Sequence, residues 1–359
     1  MKAAKTFIPL LCIITAGVRL PLFVHAESEI LTNGQLLYHS YSSYTAMDSV
    51  IYNSDMRTGK QTEITSDHFI NGMNADFGSH PYDIVFMAID PAADEWDIYR
   101  YNRISKKLIN LTANSGYRNE DPKFSPDGQK IIFKRGYWSH ETDDFVYDLA
   151  EMHLASGNIR MLTDDLPEQS MPVYSADGTA VYYSLLDKGE TGIFRLSLMQ
   201  ENSVQECIFA ESGISSYYPM ISGENLYFTK WISADLPNDS IVRLTDGKPV
   251  SLPFNSNVYN CSDSFPLADG SMFYSSTQNG SYDLFFYDGS ISHPLTMLHT
   301  ERNELGASFF SDAEAAVLIR NTADYLVQKE YTECNMDADE NGIVNVIDLV
   351  YFKQLRTPL

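Results

Sequence analysis

The stretch DPKFSPDGQKIIF, Asp121 to Phe133, decides how the chain is read. Two short apolar runs flank Ser125-Pro126-Asp127-Gly128. Proline presets φ and glycine supplies a positive φ, so these four residues make a tight turn between antiparallel strands. The same turn and apolar run recur in SADGTAVYY (Ser175 to Tyr183), ISGENLYF (Ile221 to Phe228) and LADGSMFY (Leu267 to Tyr274). Weaker copies are ILTNGQLLY (Ile30 to Tyr38) and FGSHPYDIVF (Phe77 to Phe86), and FFSDAEAAVLI (Phe309 to Ile319) is the last. The Gly128 position falls at Gly34, Pro81, Gly128, Gly178, Gly223, Gly270 and Glu314, with spacings of 47, 47, 50, 45, 47 and 44 residues.

A period in the mid-forties with several short strands per unit indicates propeller blades. In the third repeat the strands a to d are expected at Pro122 to Ser125, Lys130 to Lys134, Asp144 to His153 and Asn158 to Thr163. Their alternation gives each sheet two packing faces, which only a closed ring of repeats can bury. The fold class is therefore all-β: a propeller of four-stranded blades with a short C-terminal α-helical calcium-loop segment. Seven blades are favoured, with FFSDAEAAVLI as strands a and b of the last and DYLVQKEY (Asp324 to Tyr331) as its strand c. Six blades are the runner-up, with the final strands as closure.

The DPKFSPDG and LTDD (Leu162 to Asp165) elements resemble the repeats of TolB-type propellers and related exported propellers, over roughly residues 28–331. That resemblance implies the fold. It assigns no chemistry, because the motif residues make turns and sheets.

The chain begins with a charged region (Lys2, Lys5), an apolar run from Phe7 to Val18, and Val24-His25-Ala26 before Glu27, the pattern of an export signal. The domain boundaries are 1–26 for the signal, 27–331 for the propeller and 332–359 for the C-terminal repeat. The run is too short and interrupted for a comfortable membrane span, and no second one is long enough. The expected setting is secreted, extracellular or held at the cell surface through a scaffold. The formal charge is −23, and loss of Lys2, Lys5 and Arg19 with the signal makes it −26. Such acidity excludes nucleic acid and anionic lipid as partners, since both need a basic footprint. Cys207, Cys261 and Cys334 would remain, an odd number whose spacing matches no zinc pattern.

In a propeller the b–c and d–a connections share one face. The long b–c connections GYWSHETDD (Gly136 to Asp144) and WISADLPNDS (Trp231 to Ser240) put aromatics beside carboxylates there, and Tyr217-Tyr218 lies on a d–a connection of that face. Tyr137, Trp138, His140, Trp231 and Tyr217 are thus candidate residues for a carbohydrate or protein ligand. No GxSxG elbow, HExxH motif or phosphate-cradling glycine loop is present, so catalytic residues are not assigned.

The last residues change character. DADENGIVNVID, Asp337 to Asp348, carries oxygen donors at the positions of a 12-residue calcium loop: Asp337, Asp339, Asn341, the Ile343 carbonyl, Asn345 and Asp348. Gly342 stands where that loop turns sharply. Ca²⁺ is the expected cofactor. Asp rather than Glu at the twelfth position, followed by Leu-Val-Tyr-Phe-Lys, resembles a dockerin repeat of type I, of which the chain has one copy where the family normally has two. The resemblance implies a cohesin-type scaffold partner, met through Val346, Ile347, Lys353 and Gln354. The function expected overall is a non-catalytic exported propeller tethered through this segment. The alternative is a polysaccharide-active lyase or glycoside hydrolase with its site at the channel mouth.

Overall fold

The computed structural model describes residues 33–65, 68–92, 95–164, 168–187, 189–199, 204–232, 239–326 and 336–355. The expected export signal, residues 1–26, lies outside them, as do Cys334 and the middle of the WISADLPNDS connection. Among the described residues no helix is long and apolar enough to cross a membrane.

The described residues open with β1 (Gly34–Tyr41), β2 (Val50–Asp55) and β3 (Lys60–Glu63). Five complete four-stranded units come next. Blade II is β4 (Asn71–Phe77), β5 (Asp83–Ile89), β6 (Trp96–Asn102) and β7 (Leu108–Asn110). Blade III is β8 (Arg118–Phe124), β9 (Lys130–Ser139), β10 (Asp144–His153) and β11 (Asn158–Met161). Blade IV is β12 (Glu168–Tyr174), β13 (Ala180–Asp187), β14 (Glu190–Ser197) and β15 (Gln205–Phe209). Blade V is β16 (Ser215–Ser222), β17 (Asn225–Trp231), β18 (Ser240–Thr245) and β19 (Lys248–Ser251). Blade VI is β20 (Cys261–Pro266), β21 (Met272–Ser276), β22 (Asp283–Tyr287) and β23 (Ser292–Pro294). The last strand, β24 (Asn303–Ser311), returns to pair antiparallel with β1, so blade I has the order β24-β1-β2-β3. Its first strand comes from the end of the chain and the other three from the start.

The ring therefore holds six blades, not the seven favoured by the repeat count. The first and last repeats are two parts of one blade. After β24 the chain enters α1 (Asp312–Leu326), where strands b and c of a seventh blade were expected. The reason is local. Ser311 and Glu314 form a capping box: the Glu314 N–H donates to Ser311 Oγ at 3.2 Å, and Glu314 Oε2 accepts from the Ser311 N–H at 2.7 Å. The alanine-rich turn behind them favours helix. Asp324 begins the expected strand c but lies in α1, and 327–331 fall outside the described residues.

The SPDG turn forms as its residues require. Gly128 N–H donates to the Ser125 carbonyl at 2.8 Å, Gly128 has φ +66°, and Ser125 Oγ donates to Asp127 at 2.6 Å. Beyond the turn, alternate residues serve alternate neighbours. Ile131 and Phe133 pack with Val85 and Ile98 of blade II, whereas Ile132 packs with Val181 and Tyr183 of blade IV. Both faces of a blade are buried in this way, and the core is a set of layers between blades. The outermost strands carry the exposed residues, as in β11, all of whose residues are exposed.

On the a–b/c–d face the C-terminal segment docks. Helix α2 (Val346–Gln354) and the loop before it bury Ala338, Phe352 and Leu355 with Ala315 and Leu318 of α1 and with Ile84, Phe86 and Tyr99 of blade II. Tyr82 donates to the Tyr351 carbonyl at 2.8 Å, and Asn102 donates to the Ala338 carbonyl at 3.0 Å. Arg100 joins Asp83 and Glu340 in ion pairs of 2.8 and 2.6 Å.

Candidate binding site in the channel throat

Each innermost strand breaks its ladder at the same place. The register shifts between Met73 and Asp76, Glu120 and Lys123, Ser170 and Val173, Tyr217 and Met220, and Ser262 and Phe265, and opposite the Leu37–His39 step in β24. At each break one residue adopts the left-handed region: Asn74, Asp121, Met171, Tyr218, Asp263 and Gly306, with φ between 50° and 67°. A bulge re-aims side chains and ends pairing. Six of them at one level line a single throat with an internal volume of about 50 Å³. That volume admits a few waters or one ammonium-sized group, since one water needs roughly 10–15 Å³ by this measure. Gly306 is required where it stands, because a Cβ there would lie 2.6 Å from the His39 ring.

The throat is acidic. Asp263, 6% exposed, accepts from Ser262 Oγ at 2.9 Å. Burial pushes its carboxyl up to about 7; the Ser262 bond and the Gly306 N–H oppose the rise, and the nearby Asp239 and Asp121 charges add to it. Asp121 accepts from Asn74 Nδ2 at 2.6 Å. The Tyr218 hydroxyl is held far above its usual range, first by the charge of Asp263 and then by burial. The cation lining the throat, Lys123, is turned to Asp76 at 3.4 Å. His39 stays neutral, its pKa lowered to about 3 by burial and then by Lys123. Next to the throat, Asp239 is raised by burial and accepts from Tyr282 at 3.2 Å, with the Tyr217 hydroxyl on the same carboxylate.

Of the ligand residues expected from sequence, Tyr217 belongs to this rim. Tyr137 and Trp138 do not form one platform. They are consecutive on β9, whose pairing with β10 runs on to Ser139, so they point to opposite faces of the hairpin. Tyr137 meets Tyr117 edge-on at 6.3 Å and Trp138 meets Phe145 at 5.4 Å. His140 is exposed at the hairpin tip, and Trp231 is half-buried at the end of β17, paired with Ser215. Cys207 and Cys261 are free thiols.

The C-terminal loop brings its acids together. Ligand oxygens of Asp337, Asp339 and Asp348 lie within 4.8 Å of one another. Asp348, fully buried, accepts from the Ala338 N–H at 2.9 Å and the Asn345 N–H at 2.7 Å, fastening the loop to the start of α2. Asn345 is the N-cap of α2 and reaches the Ile347 N–H at 2.8 Å. Gly342 N–H donates to Asp337 at 2.7 Å, Asn341 accepts from the Ile343 N–H at 2.9 Å, and the Ile343 carbonyl accepts from Asn345 Nδ2 at 3.1 Å. Burial raises the Asp337 carboxyl, with Asp339 and Asp348 adding to the rise. An all-oxygen set of this kind fits a hard divalent cation. Val346, Ile347, Lys353 and Gln354 are all exposed, away from the docked side of the helix.

Solved structures share the architecture. TolB from Acinetobacter baumannii superimposes with a TM-score of 0.59 at 14% identity, over 77% of this chain and 66% of that one. Kuenenia stuttgartiensis hydrazine synthase gives 0.64 at 12% identity, over 78% of this chain and 47% of that one. A chain of a nidogen–laminin complex gives 0.56 at 10% identity, over 77% and 98%. The likeness is one of fold. The chain spans less than two thirds of the first two, and no protein-family model and no curated protein matches its sequence.

Sequence reasoning missed the throat, although a signal exists. Asn74, Asp121, Met171 and Asp263 each stand seven residues before the turn position of their repeat, at Pro81, Gly128, Gly178 and Gly270. The repeat that reveals the blades also marks the residues at their centre.

Proposed function

We propose that the protein is an exported, non-catalytic binding propeller that takes a cationic group of a partner polypeptide, a lysine or arginine side chain or a terminal amine, into the acidic throat. One observation carries this reading. The six bulges place Asp121 and Asp263 around a space sized for the end of one side chain, beside Asp239 and hydroxyls of Tyr217, Tyr218 and Tyr282. Buried carboxylates without a matching cation are costly, and an incoming ammonium would offset that cost. The TolB-like fold is compatible with a protein partner. Peptide selection on the immobilised protein, beside a glycan array, tests the reading. Recovered peptides should share a cationic residue and be lost with Asp121→Asn/Asp263→Asn. Glycans alone, or peptides indifferent to the double substitution, would overturn it.

The C-terminal loop completes the proposal. Asp337, Asp339, Asn341, Ile343, Asn345 and Asp348 hold calcium, and the outward Val346, Ile347, Lys353 and Gln354 meet a cohesin-type scaffold. The support is the converging carboxylates together with an apolar helix face left uncovered: Val346 and Ile347 are 62% and 50% exposed. A catalytic reading has one observation in its favour, the carboxyl of Asp263 near 7, which suits a general acid opposite Asp121. Release of reducing ends from polysaccharides, abolished by Asp263→Asn, would establish it.

A further inference from the structure

Blades II, III and VI hold an aspartate at one equivalent place, next to strand-c residues whose carbonyls accept from Leu111, Leu162 and Leu295. In blade II, Asp97 accepts from Thr112 Oγ1 at 2.6 Å, and Asn119 of the next blade's innermost strand offers its amide at 3.5 Å. In blade III, Asp148 accepts from Thr163 Oγ1 at 3.2 Å. The donors named here are neutral and satisfy buried carboxylates.

Blade VI departs from it. Asp283, only 2% exposed, is met by the imidazole Nδ1 of His299. In the position of Asn119, two residues before the bulge, stands Glu304, a second carboxylate. Ligand atoms of Asp283, His299 and Glu304 lie within 4.8 Å of one another. Glu304 is 1% exposed, so its carboxylate is out of water. Ser40 Oγ and Thr300 Oγ1 both donate to Oε1, leaving the buried Oε2 without a hydrogen-bond partner. Asn279 donates to the other oxygen of Asp283 at 2.9 Å, which fixes that carboxylate too. Two oriented carboxylates, one with an unused oxygen, and an imidazole nitrogen replace the donors used elsewhere in the ring.

We infer that Asp283, His299 and Glu304 bind a divalent first-row transition cation of the zinc class, on the b–c/d–a face of blade VI. The set mixes nitrogen with oxygen, which suits Zn²⁺ and its neighbours better than Ca²⁺. Ser40, Thr300 and Asn279 orient the ligands, as outer partners do in metal sites. Three protein ligands leave at least one position open to solvent or to a partner's donor group. The site is separate from the C-terminal loop, whose donors are all oxygen.

The test is calorimetric titration of Zn²⁺ into the chelator-treated full chain at saturating Ca²⁺, with Co²⁺ absorption as a second readout. One equivalent of Zn²⁺ should bind. His299→Ala and Glu304→Gln should each weaken it by at least ~10-fold, the lower end of what losing even an outer partner costs, and His299→Ala should abolish the cobalt d–d bands. Asp339→Ala in the C-terminal loop should leave Zn²⁺ binding unchanged. His299 is half-exposed, so its substitution leaves the fold intact, which circular dichroism verifies. Absence of Zn²⁺ binding, binding unchanged in both blade VI variants, or binding lost only with Asp339→Ala would overturn the assignment.

Discussion

Replacing Asp263 by Asn changes one atom in the throat and makes stability respond differently to pH. Burial holds the native carboxyl at about 7, against roughly 3.9 for an aspartate in an unfolded chain. Between those values the native state keeps a proton that the unfolded state has released. The stabilisation is therefore fully present below about pH 4 and is lost as the pH rises through 7. The slope is about 1.4 kcal/mol per pH unit, and the total is about 4 kcal/mol, a large part of a domain's ordinary stability. Asn keeps the size of the group and an oxygen for the Ser262 bond, and it never ionises. Equilibrium unfolding in urea at pH 5, 6, 7 and 8, with calcium fixed, should show Asp263→Asn gaining on the native protein as pH rises and leading by up to about 4 kcal/mol at pH 8. Carboxylates away from the throat contribute alike to both proteins and cancel in the difference, whereas Asp239 and Asp121 act on Asp263 by charge and are part of the effect. Parallel curves across that range would refute a buried, charge-penalised Asp263.

The packing gives three further expected outcomes. Gly306→Ala should cost more than Gly128→Ala: both carry positive φ, worth about 1–2 kcal/mol for a side chain, but the new Cβ would lie 2.6 Å from the His39 ring in one case and 3.1 Å from Ser79 in the other. Thermal unfolding ranks the two. Phe352→Ala empties a fully buried site and should cost about 3–5 kcal/mol of the docking of the C-terminal segment, seen as protease cleavage ahead of α2 while the blades stay intact. Calcium at a hundred times its dissociation constant should stabilise that segment by about 2.7 kcal/mol, and Asp339→Ala should abolish the shift in unfolding temperature.

The blades were legible in the sequence because the turn of Ser125 to Gly128 is a local signal, repeated wherever a strand a meets a strand b. Their number was not. Closure is a pairing between Gly34 and Ser311, far apart in sequence, and no local pattern distinguishes a strand that completes the first blade from one that begins a seventh. The capping box of Ser311 and Glu314 was the available warning, outweighed by the apolar run behind it. The convergence of Asp337, Asp339 and Asp348 was legible because these residues lie close together in sequence. The throat was not, because its six residues differ in chemistry; what they share is a backbone conformation set by the bulges and, for four of them, the spacing to the turn. Tyr137 and Trp138 show the converse: they are adjacent in sequence, and strand pairing sends them apart.

The central claim is that the throat receives a cation from a partner. The most direct measurement is a double-mutant cycle between a selected peptide, its key lysine replaced by norleucine, and Asp263→Asn, read by calorimetry. The account predicts a coupling of at least ~1 kcal/mol, within the range for groups in contact. Additive losses, with no coupling between the lysine and Asp263, would contradict it.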